Sequence, residues 1–198
     1  MHTIDARQAR RHFALRMALS AGLACALAGV PALTHAQPAL SPSGTFIQFG
    51  TIHDTHSATY GLTWDLPARW DFASGRVTSY LEASVAMWDY DARGHSGSSR
   101  LAQIALVPSL RYRPDGGRSP WFVDAGIGAT LMSKVYATQD KQFSTAFNFA
   151  THLAVGRSFG ERNQHELSIR VEHFSNAGIK HPNPGENFLQ IRYAYRFG

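Results

Sequence analysis

Apolar and polar residues alternate with a period of two along most of this chain, the spacing of strands rather than helices. The stretch "ATYGLTWD" sets Ala58, Tyr60, Leu62 and Trp64 on one face and Thr59, Gly61, Thr63 and Asp65 on the other. In "AQIALVPSLRY", Ala102, Ile104, Leu106, Leu110 and Tyr112 oppose Gln103, Ala105, Ser109 and Arg111. "WFVDAGIGATL" divides Trp121, Val123, Ala125, Ile127, Ala129 and Leu131 from Phe122, Asp124, Gly126, Gly128 and Thr130. "VTSYLEASVAM" and "FNFATHLAV" follow the same rule less strictly, and a first strand is expected around residues 45–52. The last two strands flank "SNAGIKHPNPGEN": Leu167, Ile169 and Val171 share a face before it, and Leu189, Ile191, Tyr193, Tyr195 and Phe197 share one after it. About eight strands result. After residue 36 there is no apolar run of about 18 residues, so no helical membrane span is predicted.

Alternation alone would also suit a soluble sandwich, but two details point to a barrel. The polar parity is small and mixed, with Gly126, Gly128, Ala105, Ala154, Glu82, Asp124 and Arg111, as expected of residues packed inside a narrow barrel. If the first strand runs outward from the periplasm, Trp64, Tyr112, Trp121, Tyr195 and Phe197 all fall at periplasmic strand ends on the apolar parity, which is an aromatic girdle. The short turns "RPDGGRSP" and "SFGERNQ" lie at that end, and the longer "DYDARGHSGSSR" and "MSKVYATQDKQFS" lie outside. The expected fold class is therefore all-β: an eight-stranded antiparallel transmembrane β-barrel of the outer membrane, its interior filled by side chains.

The N-terminal segment has a different pattern. Arg7, Arg10, Arg11 and Arg16 precede an apolar stretch from Met17 to Val30, and "THA" stands before Gln37, so residues 1–36 are expected to be a removed signal peptide and residues 37–198 the barrel. The only cysteine, Cys25, belongs to the removed part, which leaves the mature chain without thiol chemistry or disulfides. Loss of those four arginines and Asp5 takes the formal charge from +5 to about +2, too little for a nucleic-acid footprint.

Candidate chemistry begins where an apolar face changes character. His173 and Ser175 continue the parity of Leu167, Ile169 and Val171 near the outer end of a strand, with their Cα atoms roughly 7 Å apart. An imidazole can bridge that distance to a serine hydroxyl and take its proton as the oxygen attacks an ester carbonyl. Glu186, in the loop before a last strand expected to start near Phe188, is the candidate carboxylate to orient the imidazole. Glu172 points to the other face. The Asn176 amide and the Gly178 backbone N–H are candidate oxyanion donors, with Pro182 to Gly185 forming a stiff reversal. The alternative is ordinary interfacial polarity, since a lone His-x-Ser at a strand end carries little information.

"HFSNAGIKHPNPGENF", followed by "RYAYRF", resembles the signature of the PagL family, the outer-membrane lipid A 3-O-deacylases of Gram-negative bacteria. The resemblance implies an eight-stranded barrel that removes the acyl chain at the 3-position of lipid A, with a His-Ser-Glu triad on the outside of the wall. It further implies His173 as general base, Ser175 as nucleophile, Glu186 as the orienting acid, Asn176 and Gly178 in the oxyanion hole, and no metal or cofactor. The expected partners are lipopolysaccharide and the surrounding lipid, with a homodimer left open. Val171 and Ile191 would line the acyl path. Lys180, Lys134, Lys141 and Arg100 are either lipid A phosphate contacts or solvated loop charges, the second being preferred.

Other polar groups carry less. "HDTH", residues 53–56, lacks a fourth metal ligand, and His152 should belong to an internal network with Asn148 or Glu82. Two rival functions remain at this level: an outer-membrane phospholipase, and a non-enzymatic structural or adhesin barrel.

Overall fold

The structure, a computed structural model, describes residues 41–94 and 97–197. The expected signal peptide, with Cys25, lies outside the described residues. Eight strands follow in order: β1 (Gly44–Ile52), β2 (Thr55–Phe72), β3 (Gly75–Asp91), β4 (Ser98–Arg113), β5 (Trp121–Met132), β6 (Phe147–Phe159), β7 (His165–Ser175) and β8 (Glu186–Arg196). Each pairs antiparallel with the next, and β1 pairs with β8, so the sheet closes into a barrel. Closure leaves no open sheet edge, the condition for a sheet to cross a bilayer.

The faces are inverted relative to a soluble protein. Val85, Ile104, Leu106, Leu153, Ile169 and Leu189 stand exposed on the outer wall, each with more than half of its surface accessible, whereas Glu82, Asp124, Glu166 and Arg170 are buried inside. A sandwich would bury the first set and expose the second, so the burial pattern excludes it. The wall tolerates close approach where glycine supplies it: a Cβ at Gly61 would run into the Phe46 ring, and one at Gly156 into the Phe122 ring.

Four connections, at residues 53–54, 92–97, 133–146 and 176–185, lie at one end of the barrel, here called the loop end. Those at 73–74, 114–120 and 160–164 lie at the other, terminal end. Between β3 and β4 the strands run further than the sequence suggests, pairing Asp89 with Arg100 and leaving only a short connection.

The lumen is divided along its length. Toward the loop end, Trp88 packs edge-on against Tyr136, Phe174 and Phe188 at centroid distances of 5.5, 5.0 and 4.6 Å. Toward the terminal end the contents are ionic: Arg170 and Arg192 both hold Glu82, at 2.8 and 2.6 Å, and Arg111 joins Asp124 and Glu166 while lying over the Phe122 ring. His152 is inside as expected, and its Nδ1 meets Arg170 Nη1 at 3.3 Å, the same guanidinium nitrogen that donates to Glu82, so it shares a network with Glu82 through Arg170.

Candidate active site

Strand β7 alternates without a break from His165 to Ser175, so the parity that sends Ile169 and Val171 outward also sends His173 and Ser175 outward. Both are half-buried rather than fully exposed, because neighbouring strands and the connection that follows shield them. In the register of the barrel, His173 lies opposite Thr151 of β6 on one side and Asn187 of β8 on the other, and Ser175 lies opposite Phe149. Among the described residues the Ser175 hydroxyl has no hydrogen-bond partner.

The orienting partner of the imidazole differs from the expectation. His173 Nδ1 meets Asn187 Oδ1 at 2.7 Å, as directly opposed residues on one sheet face can. Glu186 is the first residue of β8, not part of the preceding loop, and the alternation of that strand turns its side chain into the lumen. There it is only 3% exposed, pairs with Lys141 at 2.8 Å and accepts a hydrogen bond from the Tyr136 hydroxyl at 3.3 Å, and has no hydrogen bond or ion pair with His173. Asn187 shares its parity with Leu189 and Ile191, so its outward direction was readable once β8 was extended by two residues toward its start.

The imidazole is seated by backbone as well. Gly185 has φ of +67°, and a Cβ there would lie 2.6 Å from His173 Cε1. Glycine is needed at this position twice, for the left-handed conformation and for the space the ring occupies.

Asn176 and Gly178 are beside Ser175, but their donors serve the loop. The Gly178 N–H donates to Asn176 Oδ1 at 2.9 Å. Asn176 Nδ2 donates to Ser144 Oγ and to the Lys180 carbonyl, at 2.9 and 2.8 Å, and the Asn176 N–H donates to Asn183 Oδ1. Neither of the two expected oxyanion donors is free in this arrangement. Within the turn the Ala177 N–H, at a residue with φ of +54°, has no acceptor among the described residues.

Of the four outer cations, three have protein partners. Arg100 pairs with Asp89 at 2.7 Å, Lys134 donates to Ser99 Oγ at 2.6 Å and Lys141 is held by Glu186. The Lys180 ammonium, on the same connection as Asn176, has none among the described residues. Of the HDTH stretch, His53 and Asp54 make the β1–β2 turn, while His56 lies in β2 and meets Thr51 Oγ1 at 3.1 Å. Among the described residues no three His, Asp or Glu side chains gather as a metal site.

What the outer face offers chemically is a hydroxyl, a base two residues away on the same face, and an amide oxygen that fixes one ring nitrogen. Comparison with known proteins bears on the use of such a set. Residues 57–196 match the family model described as lipid A 3-O-deacylase (PagL). Lipid A deacylase PagL of Bordetella bronchiseptica is 33% identical over 179 residues, covering 88% of this chain and 90% of that protein. Lipid A deacylase PagL of Pseudomonas aeruginosa is 30% identical over 134 residues, 67% of this chain and 73% of that protein. The crystal structure of the outer membrane enzyme PagL superposes with a TM-score of 0.64 at 24% identity, covering 78% of this chain and 99% of that one, which is a likeness of fold.

Proposed function

The chain belongs to the PagL family of lipid A 3-O-deacylases, and on that premise we propose that Ser175 attacks the ester carbonyl with His173 as general base and Asn187 as the group that orients it. The protein is an esterase of the outer membrane that hydrolyses the ester-linked 3-hydroxyacyl chain at the 3-position of lipid A. The observation that carries the residue assignment is the 2.7 Å contact between His173 Nδ1 and Asn187 Oδ1 on the same outward face as Ser175.

An amide oxygen accepts, so Nδ1 keeps its hydrogen and Nε2 carries the lone pair that can take a proton. His173 Nε2 takes the Ser175 proton as Oγ bonds to the carbonyl carbon. The tetrahedral oxyanion collapses, the sugar 3-oxygen leaves with the proton from Nε2, and an acyl-serine remains. Water then repeats the sequence, releasing the 3-hydroxy fatty acid and restoring Ser175. Asn187 supplies orientation but no full negative charge, so the imidazolium formed in each half is less stabilised than it would be beside a carboxylate. The Ala177 N–H, two residues past the nucleophile and lacking an acceptor, is the oxyanion donor on this reading.

With the loop end at the outer leaflet, the apolar wall of Leu167, Ile169 and Val171 lies in the acyl region and His173 and Ser175 at the depth of the esters. The nucleophile then reaches its carbonyl without the lipid leaving the membrane. Val171 and Ile191 flank the path of the departing chain, and Lys180 is the cation free to pair with a lipid A phosphate.

Mass spectrometry of lipid A from cells with and without the protein tests this. Expression should remove one 3-hydroxyacyl chain, and Ser175→Ala and His173→Ala should each abolish the loss while the barrel keeps its heat-modifiable mobility. Release of lysophospholipid with intact lipid A would transfer the site to glycerophospholipid esters.

A further inference from the structure

The connection between β5 and β6, residues 133–146, meets residues next to the active site at two points, one in the lumen and one in the 176–185 connection. At the first, Lys141 Nζ and the Tyr136 hydroxyl converge on Glu186, at 2.8 and 3.3 Å. The same carboxylate also accepts the backbone N–H of Asn187 at 3.2 Å. At the second, Ser144 Oγ and Thr145 Oγ1 accept from Asn176 Nδ2, at 2.9 and 3.3 Å, and Ser144 Oγ donates to the Lys180 carbonyl at 2.8 Å.

Glu186 immediately precedes Asn187, and Asn176 immediately follows Ser175. Each inward anchor therefore sits one residue from an outward catalytic group, and strand alternation makes the two share a backbone whose position the anchor sets. The β5–β6 connection is itself firmly seated. Tyr136 and Phe143 are almost fully buried, Tyr136 packs edge-on against Trp88, Tyr90 and Phe143, and its hydroxyl meets Thr55 Oγ1 at 2.7 Å. Burial raises the Tyr136 phenol pKa above its ordinary range, so it remains protonated across the working pH range.

We propose that the β5–β6 connection is a clamp for the active site, with Lys141 and Glu186 as positioning residues that set Asn187, and through it His173, against Ser175. This rests on the reading of His173, Ser175 and Asn187 given above. Glu186 acts from the far side of the wall and does not touch the imidazole. Loss of the Lys141–Glu186 pair lets the start of β8 shift, and a displacement of about 1 Å at the base is enough to cost about a hundredfold in rate.

The test uses the full barrel refolded in detergent micelles, with lipid A as substrate and a fluorophosphonate as a substrate-independent probe of Ser175. Lys141→Met and Glu186→Gln should each lower kcat about ten- to a hundredfold with KM nearly unchanged, and slow fluorophosphonate labelling in parallel. The double variant should be no worse than either single one, and Lys141→Arg should restore most of the rate. Lys141→Gln replaces Lys141→Met if the latter loses the mobility of the folded barrel. Lys141→Met with wild-type kcat and labelling overturns the proposal, as do losses that multiply in the double variant. Loss in Glu186→Gln alone would instead give the carboxylate a direct role. If wild type labels at Ser175 but leaves lipid A intact, the substrate reading fails while the labelling rates still decide the clamp.

Discussion

The lumen beneath the loops is filled by aromatic rings, whereas the lumen toward the chain termini is filled by charges. In the first half, Trp88, Tyr136, Phe174 and Phe188 meet edge to face, and the Tyr136 hydroxyl among them bonds Glu186 beside the proposed active site. In the second, Glu82 is shared by two arginines and Arg111 by two carboxylates, with the Phe46, Tyr80 and Phe122 rings against the guanidinium groups. Rings pack by shape and fix a backbone within narrow limits. Buried ion pairs are costly to break by removing one partner, yet are replaceable as sets. On the proposed site assignment, precision for chemistry and cohesion of the barrel come from separate layers.

That separation can be broken by exchanging the consequences. Glu82→Gln leaves Arg170 and Arg192 without their shared countercharge and should destabilise the barrel by about 3–5 kcal/mol. Urea titration of the folded-to-unfolded mobility shift measures it, and the fraction that stays folded should deacylate lipid A at the wild-type rate. A matching loss of kcat in that folded fraction would mean that the charged layer also positions the site.

Phe174→Leu makes the opposite test. Phe174 lies between His173 and Ser175 in sequence but points inward onto Trp88 and Phe188. Its shortening should cost about 1–2 kcal/mol of stability, yet lower kcat more than Glu82→Gln does, because the ring seats the backbone of both proposed catalytic groups.

Gly185→Ala sharpens the same point at the surface. The added methyl meets the His173 ring, and the positive φ adds about 1 kcal/mol of backbone strain. Stability should change little beyond that, while kcat falls about tenfold. The smallest change expected is a gain: Asn187→Asp puts a full charge where an amide oxygen now accepts, and kcat near neutral pH should rise severalfold. No change in that variant would show that orientation alone is what Asn187 contributes.

Much of the architecture was legible in the chain. The alternation in "ATYGLTWD" and "WFVDAGIGATL" reappears as β2 and β5, with Tyr60 and Trp121 outside and Gly61 and Phe122 inside. The outward direction of His173 and Ser175 followed from Leu167, Ile169 and Val171 in the same way. The partner of the His173 ring was not legible. Placing Glu186 in a loop left it free to point anywhere, and the two extra residues of β8 assign it to the lumen and Asn187 to the wall. The donors of Asn176 and Gly178 were in view as residue types, but their occupation by Ser144, Lys180 and Asn176 itself depends on how two loops fold together. The Lys141–Glu186 pair joins positions 45 residues apart, beyond any local pattern.

By itself, then, the sequence determined most of the strands, their inner and outer faces, and the presence of an imidazole and a hydroxyl on the outer face, because alternation is a local property of extended backbone that the order of the residues reports directly. Only the tertiary structure decided which amide faces His173, which donors remain free and what braces them. Those depend on the register set by barrel closure and on where a strand begins, and a shift of a single residue in either sends the side chain to the other side of the wall.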